Sequence, residues 1–285
     1  MASGIGIVRR MSDILPDTPA EIAAHYADGV EADRLKNVPI EFMRTLEILQ
    51  RFLPSTPGVI ADIGGGPGTY AVPLAEAGHT VHLFDPIESH VGQAAAGLGE
   101  IEGNDSRAAV GEARKVELAD ASVDAALLLG PLYHLIEPRE RHQALREALR
   151  ILRPGGILLG AGISRFASTY DGIAKGFLAD PEFEAIVERD LAEGTHLNPQ
   201  RNPEWFTTAY FHLPDQLRDD ISFAGFYYDQ TIAVEGPASW IDPSPWLTDL
   251  SRTESLLAAI RRVESEPSIL GASAHFIVVA HKPPQ

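Results

Sequence analysis

The stretch from Val59 to Tyr70 constrains this chain more than any other. Val59, Ile60, Ala61 and Ile63 form a short apolar run broken only by Asp62. It leads directly into Gly64, Gly65, Gly66, Pro67 and Gly68, after which Thr69 to Ala77 reads as a helix. An apolar run this short, ended by a turn, fits a parallel strand buried on both faces. The glycines remove Cβ atoms where a ligand has to approach the backbone closely. Asp62 puts a carboxylate inside the apolar strand, which is costly unless it is paired or serves a ligand. Strand, glycine turn and helix together open a nucleotide-binding βαβ unit.

Two further segments extend this unit. His79 to Asp85 reads as a second strand ending in an acid, and Asp85 lies 17 residues after Gly68. An acid at that tip can accept hydrogen bonds from both hydroxyls of a ribose. Further on, Leu152, Arg153, Pro154, Gly155 and Gly156 end a helix and turn into the apolar run Ile157 to Ala161.

Taken together, these segments resemble the class I S-adenosylmethionine-dependent methyltransferases of bacterial small-molecule type. Asp62, Gly64, Gly66 and Gly68 match the family's first motif, D-x-G-x-G-x-G. Asp85, followed by Pro86, matches the ribose-binding acid, and Leu152 to Gly156 match the L-x-P-G-G turn. The resemblance implies an α/β fold: a doubly wound, mostly parallel, seven-stranded Rossmann-like sheet with helical cap insertions. It implies S-adenosylmethionine as cofactor and S-adenosylhomocysteine as product. It implies that Glu112 and Ala113, after the third strand, contact adenine, although the family often has Asp at the place of Glu112. Gly130 to Leu135, after the fourth strand, would pass beneath the methionine part of the cofactor. Tyr26 and Arg34 of the leader would cover the cofactor and pair with its carboxylate. An Arg34 salt bridge to Glu31 or Asp28 explains that residue equally well.

A competing reading stays open. Gly66 to Ala71 also satisfies G-x-G-x-x-A, the fingerprint of a nicotinamide-dependent oxidoreductase. Asp62 before the turn and the Pro-Gly-Gly turn half a fold later favour the methyltransferase. A cofactor-binding module without transferase activity is the third alternative.

The chain divides by pattern into a helical leader and cap (1–55), a cofactor-binding core (56–164), an acceptor-binding insertion (165–213) and the rest of the core (214–285). A second insertion falls at about 236–271. Thr18, Pro19 and Glu21 mark a helix start, and Pro39 to Phe52 reads as a helix with one apolar face. Further strands are expected at Ala108–Val110, Val123–Leu129, Gly156–Ile163, Tyr227–Val234 and His275–Ala280. Helices are expected at Arg139–Leu152, Pro214–Ala224 and Ser251–Glu264.

Candidate chemistry lies in two places. The histidine side chain ordinarily titrates near working pH, which makes His134 a candidate general base, with Tyr133 beside it shaping the methyl pocket; a packed core histidine is the plainer alternative. The first insertion is dense in aromatic residues. Trp205, Phe206 and Tyr210, with His196, are the candidate acceptor contacts, and His212 is a second candidate base. Aromatic faces attract cations by ~0.5–2 kcal/mol each, but such residues also build a cap's own core. No clustering of acids in the cap loops suggests a metal-dependent catechol-type site, and no metal is expected.

Composition narrows the partners. The net charge of −17 argues against a nucleic acid, because phosphate backbones are held by basic surfaces. There is no cysteine, so disulfides and thiolate chemistry are excluded. No apolar run approaches the ~18 residues that would span a membrane, and the first residues lack the apolar core of a signal peptide. The expectation is a cytoplasmic enzyme acting on a small-molecule acceptor.

Overall fold

The computed structural model describes residues 39–284 except Thr56. Tyr26, Arg34 and the helix start at Thr18 lie outside the described residues. The elements are α1 (Pro39–Phe52), β1 (Val59–Ile63), α2 (Ala71–Glu76), β2 (Thr80–Asp85), α3 (Glu88–Gly99), β3 (Arg107–Val110), β4 (Val123–Leu128), α4 (Pro131–His134), α5 (Pro138–Ile151) and β5 (Leu152–Ile163). There follow α6 (Ala167–Lys175), α7 (Pro181–Glu193), β6 (Thr195–His196), β7 (Ala209–Tyr210), α8 (Pro214–Phe223), β8 (Tyr227–Ala233), α9 (Leu250–Arg261) and β9 (His275–His281).

Seven strands form one sheet in the order β3-β2-β1-β4-β5-β9-β8. β3, β2, β1, β4 and β5 run parallel, while β9 is antiparallel to both β5 and β8. Side chains alternate between two cores, as the two-residue period of a strand requires. Phe276, Val278 and Ala280 of β9 join Ala126 and Leu128 of β4 on the face covered by α5 and α8. Ile277 and Val279 join Ala125 and Leu127 on the opposite face, against Ile48 and Leu49 of α1, Leu74 of α2 and Leu98 of α3. Both faces are covered, which is why these strands read as continuous apolar runs.

The chain winds outward in one direction through β2 and β3 and in the other through β4 and β5. The reversal falls between β1 and β4, and a switch point of this kind places the ligand crevice at the strands' carboxyl ends. At the opposite edge, β5 starts with the Pro-Gly-Gly turn. Gly155 has φ +77°, and a Cβ on Gly156 would lie 2.8 Å from the Arg153 carbonyl. That steric demand explains the two adjacent glycines.

The segment after β5 builds a small unit of its own. Asp180 caps α7 by accepting from the Glu182 amide, and Gly194 ends the helix in the left-handed region. Phe183, Ile186, Val187 and Trp205 pack together with Phe177. β6 and β7, a two-stranded sheet that the sequence pattern does not reveal, close the unit. Among the described residues, no helix is long and apolar enough to cross a membrane.

Candidate functional site

A cleft with about 1340 Å³ of space, its open mouth included, lies over the carboxyl ends of β1, β2 and β4. Asp62, Gly64, Gly65 and Gly66 form its floor, Asp85, Pro86, Glu112 and Ala113 one side, and Gly130, Tyr133 and His134 the other.

The glycine turn is held from beneath. The amides of Gly64 and Gly65 donate to the Phe84 carbonyl at 2.7 and 3.3 Å. The Gly66 amide donates to Asp85 Oδ2 at 2.9 Å, while Asp85 Oδ1 accepts from the Ile87 amide at 2.9 Å and lies 3.2 Å from His90 Nδ1. Asp85 therefore fixes the turn while its carboxylate borders the cleft. Gly64 and Gly66 have φ of +72° and +56°, a region that only glycine enters without strain. A Cβ on Gly64 would lie 2.6 Å from the Pro131 ring, so the turns after β1 and β4 touch. Gly68 does not line the cleft. It lets α2 approach α3, where a Cβ would meet Ala94 at 3.1 Å.

Asp62 is buried, and among the described residues its Oδ2 has no hydrogen-bond partner. Burial, with a smaller contribution from the charge of Asp85, pushes its carboxyl up to about 7. A buried carboxyl oxygen left over at the floor of a cleft calls for a cationic or hydrogen-donating ligand. The α-ammonium of a methionine moiety is such a group, so the residues present fit S-adenosylmethionine.

On the next wall, Glu112 Oε2 accepts from Arg114 Nε at 2.6 Å, and Arg114 reaches on to Glu140 at 2.8 Å. Across the cleft, the rings of Tyr133 and His134 meet edge to face at 4.8 Å, and His134 stacks on Phe206 at 6.1 Å. Arg141 supports this loop from behind, donating to the carbonyls of Leu135 and Ile136 at 2.9 and 2.7 Å.

The insertion residues His196, Trp205, Phe206, Tyr210 and His212 do not line the cleft, although Phe206 packs against its wall. Trp205 is buried in the insertion's own core. His196 Nδ1 lies 2.8 Å from Asp190 Oδ2, which also accepts from Ser168 Oγ, and its Nε2 lies 3.2 Å from the Phe206 carbonyl. Tyr210 carries the Arg141 guanidinium 3.9 Å from its ring centre. His212 is fully buried, edge-on to Tyr210 at 4.7 Å. Burial, then Arg141 and Arg165, hold its imidazole well below the ordinary histidine range, so it is neutral. A proton taken there would have to leave through packed protein.

Beyond β4 the cleft continues onto Glu41 and Thr45 of α1, Ala161 of β5, Val234, His275 and Ile277. Sequence reasoning missed this side. Its polar members come from two distant segments, α1 and β9, and the one available signal was a histidine opening the last strand.

A family model described as a methyltransferase domain matches residues 60–156. The ubiquinone biosynthesis O-methyltransferase of Caulobacter vibrioides is 29% identical over 180 residues, covering 62% of this chain and 60% of that protein. A demethylmenaquinone methyltransferase of Paenarthrobacter aurescens is 31% identical over 105 residues, 37% of this chain and 38% of that one. The chain thus spans less than two thirds of these relatives. A solved structure of a SAM-dependent methyltransferase from Methanosarcina mazei aligns with 84% of this chain and 98% of its own, at TM-score 0.56 and 19% identity. It shares the fold.

Proposed function

We propose that this chain, which belongs by its core domain to the class I S-adenosylmethionine-dependent methyltransferases, moves a methyl group onto a small-molecule acceptor. The observation that carries the reading is Asp62. It presents a buried carboxyl oxygen at the glycine turn that has no hydrogen-bond partner among the described residues, in one cleft with Asp85.

In this reading Asp85 holds the ribose hydroxyls, and Glu112 and Ala113 border the adenine. Asp62 receives the ammonium of the methionine part, and Gly64, Gly66 and Gly130 let the backbone come close. When bound, S-adenosylmethionine supplies a methyl group already activated on sulfonium. What the protein adds is exclusion of water and alignment of the acceptor, worth up to ~7–11 kcal/mol when the geometry is good. Tyr133 and His134 stand at the place for this, braced by Phe206 and Arg141. The aromatic residues of the insertion support that wall by packing behind it. Tyr26 and Arg34 enter from sequence as cover for the cofactor.

The acceptor we favour is a neutral hydroxylated ring or quinol. The relatives' names point to quinone precursors, and a chain of net charge −17 is poorly suited to nucleic acid. The reaction belongs in this reading to the cytoplasm. Calorimetry with S-adenosylhomocysteine and with NADPH tests the cofactor, and transfer of tritium from methyl-labelled cofactor to 4-methylcatechol or a naphthoquinol tests the reaction. Binding of NADPH with no binding of S-adenosylhomocysteine would overturn the proposal.

A further inference from the structure

We infer that His275, oriented by Glu235, is the general base that deprotonates the acceptor, and that the acceptor is attacked through a hydroxyl group. The inference rests on the methyltransferase reading of the same cleft and adds the residue that moves the proton.

The placement follows from strand direction. β9 runs against β5, so its first residue lies at the same sheet edge as the last residues of the parallel strands, and His275 pairs with Ile163. His275 and Ile277 are two apart and share a face, opposite Ile163 and Ala161 of β5. His275, Ile277 and Ala161 line the cleft with Glu41 and Thr45 of α1. β9 is two strands from β4, a lateral distance of ~10 Å. A base, an acceptor oxygen and a methyl group in successive contact fill such a gap.

The orientation is fixed by a chain of hydrogen bonds. His275 Nδ1 donates to Glu235 Oε1 at 2.7 Å and lies 3.9 Å from Glu41 Oε2. With both carboxylates beside Nδ1, that nitrogen carries the proton and Nε2 is the basic end. Glu235 is buried and tightly held: its Oε2 accepts from Ser273 Oγ at 3.0 Å and from the His275 amide at 3.0 Å. Ser273 Oγ in turn accepts from the Gly236 amide at 2.9 Å. Burial opposes the charge on Glu235, but pairing with the ring and the backbone amide of His275 outweighs it and holds the carboxyl below its ordinary value. A carboxylate fixed against Nδ1 sets the tautomer and stabilises the imidazolium once formed.

The step balances. Nε2 takes the proton of the acceptor hydroxyl as its oxygen lone pair forms the new bond to the methyl carbon. The carbon–sulfur bond breaks, and its electron pair stays on sulfur as the neutral thioether. The proton leaves His275 for solvent through the cleft mouth. His212 is sealed in protein and His134, on the cleft wall, stacks on Phe206, whereas His275 combines a place on the cleft with a carboxylate fixed against its Nδ1. Walls of Ala161, Val234 and Ile277 beside two carboxylates suit a neutral, apolar hydroxyl compound and repel an anion.

The test uses the full chain with 4-methylcatechol as acceptor. His275→Gln should lower kcat by ~10²–10⁴-fold, with S-adenosylhomocysteine affinity by calorimetry within about twofold of wild type. Glu235→Gln, a positioning change, should lower kcat with KM unmoved, and the double variant should be no slower than His275→Gln alone. Independently of turnover, the His275 ring resonance in wild type should shift when 4-methylcatechol is added to the S-adenosylhomocysteine complex, and this readout stands if a variant fails to fold. Turnover of His275→Gln within threefold of wild type overturns the proposal. So does loss of wild-type activity in EDTA with recovery on adding a divalent cation, because Glu41, Glu235 and His275 would then be ligands. Binding of S-adenosylhomocysteine without methylation of the catechol also overturns it and leaves the methyltransferase reading intact. Failure to bind S-adenosylhomocysteine at all removes both.

Discussion

Asp62 and Gly65 are in such close register that a Cβ on the glycine would lie 2.5 Å from Asp62 Oδ2 and 2.7 Å from Leu83 Cδ1. The absent side chain is what leaves room for the carboxyl. Gly65→Ala should therefore push Asp62 or Leu83 aside. Overpacking of this kind costs ~1–3 kcal/mol, which a urea titration measures. Affinity for S-adenosylhomocysteine should fall in parallel.

Asp62 makes stability depend on pH. In the folded protein its carboxyl holds its proton up to about 7, against an ordinary value of 3.8. The folded state binds more protons in that window, so the ligand-free protein should lose stability as pH rises from about 4 to about 7, by at most ~4 kcal/mol. Asp62→Asn should flatten the profile and melt higher than wild type at pH 8, while binding S-adenosylhomocysteine more weakly. Cofactor binding near pH 7 should release a proton, measured as a calorimetric enthalpy that varies with buffer.

Asp85→Ala removes one charged acceptor from the ribose and from the Gly66 and Ile87 amides. Charge-assisted bonds are worth ~1.5–3 kcal/mol each, so S-adenosylhomocysteine affinity should fall at least ~10-fold. Unchanged affinity would sink the ribose assignment.

Arg44 is fully buried in α1, donating to the Val234 carbonyl at 3.1 Å and to Glu47 and Glu264. Arg44→Met would leave Glu264 with only part of its charge compensated, by Arg51 at 2.7 Å. Breaking a buried pair costs ~3–5 kcal/mol. Chemical denaturation should show a loss of that order, and α1, which carries Glu41 and Thr45 to the cleft, should loosen with it.

A gel shift with tRNA should show no binding at physiological salt, given the net charge of −17. Micromolar binding that weakens steeply with salt would reopen nucleic acid as an acceptor.

The sequence made the sheet legible because strands buried on both faces leave unbroken apolar runs. Val59–Ile63, Pro39–Phe52 and the start of His275–His281 fall where periodicity puts them. The glycine turn and Asp85 were legible for the same local reason: strand, turn and acid are close in sequence. The far side of the cleft was not. Glu41, Glu235 and His275 meet only once β9 is known to run antiparallel, and nothing local announces a strand's direction. The insertion shows the opposite limit. Trp205 reads as aromatic surface for a ligand, yet a small unit needs a core of its own and takes it first, packed with Phe183. His212 looked available for chemistry and is instead enclosed with Arg141 and Arg165.

The antiparallel β9 sits between β5 and β8, although it is made after both. β5 therefore waits for a neighbour about 120 residues further along, and loops of that length close slowly. On the ribosome, the nascent chain holds one flank of β5 unpaired until His275–His281 has left the exit tunnel. During that interval the unfinished sheet offers an apolar edge to chaperones or to other nascent chains.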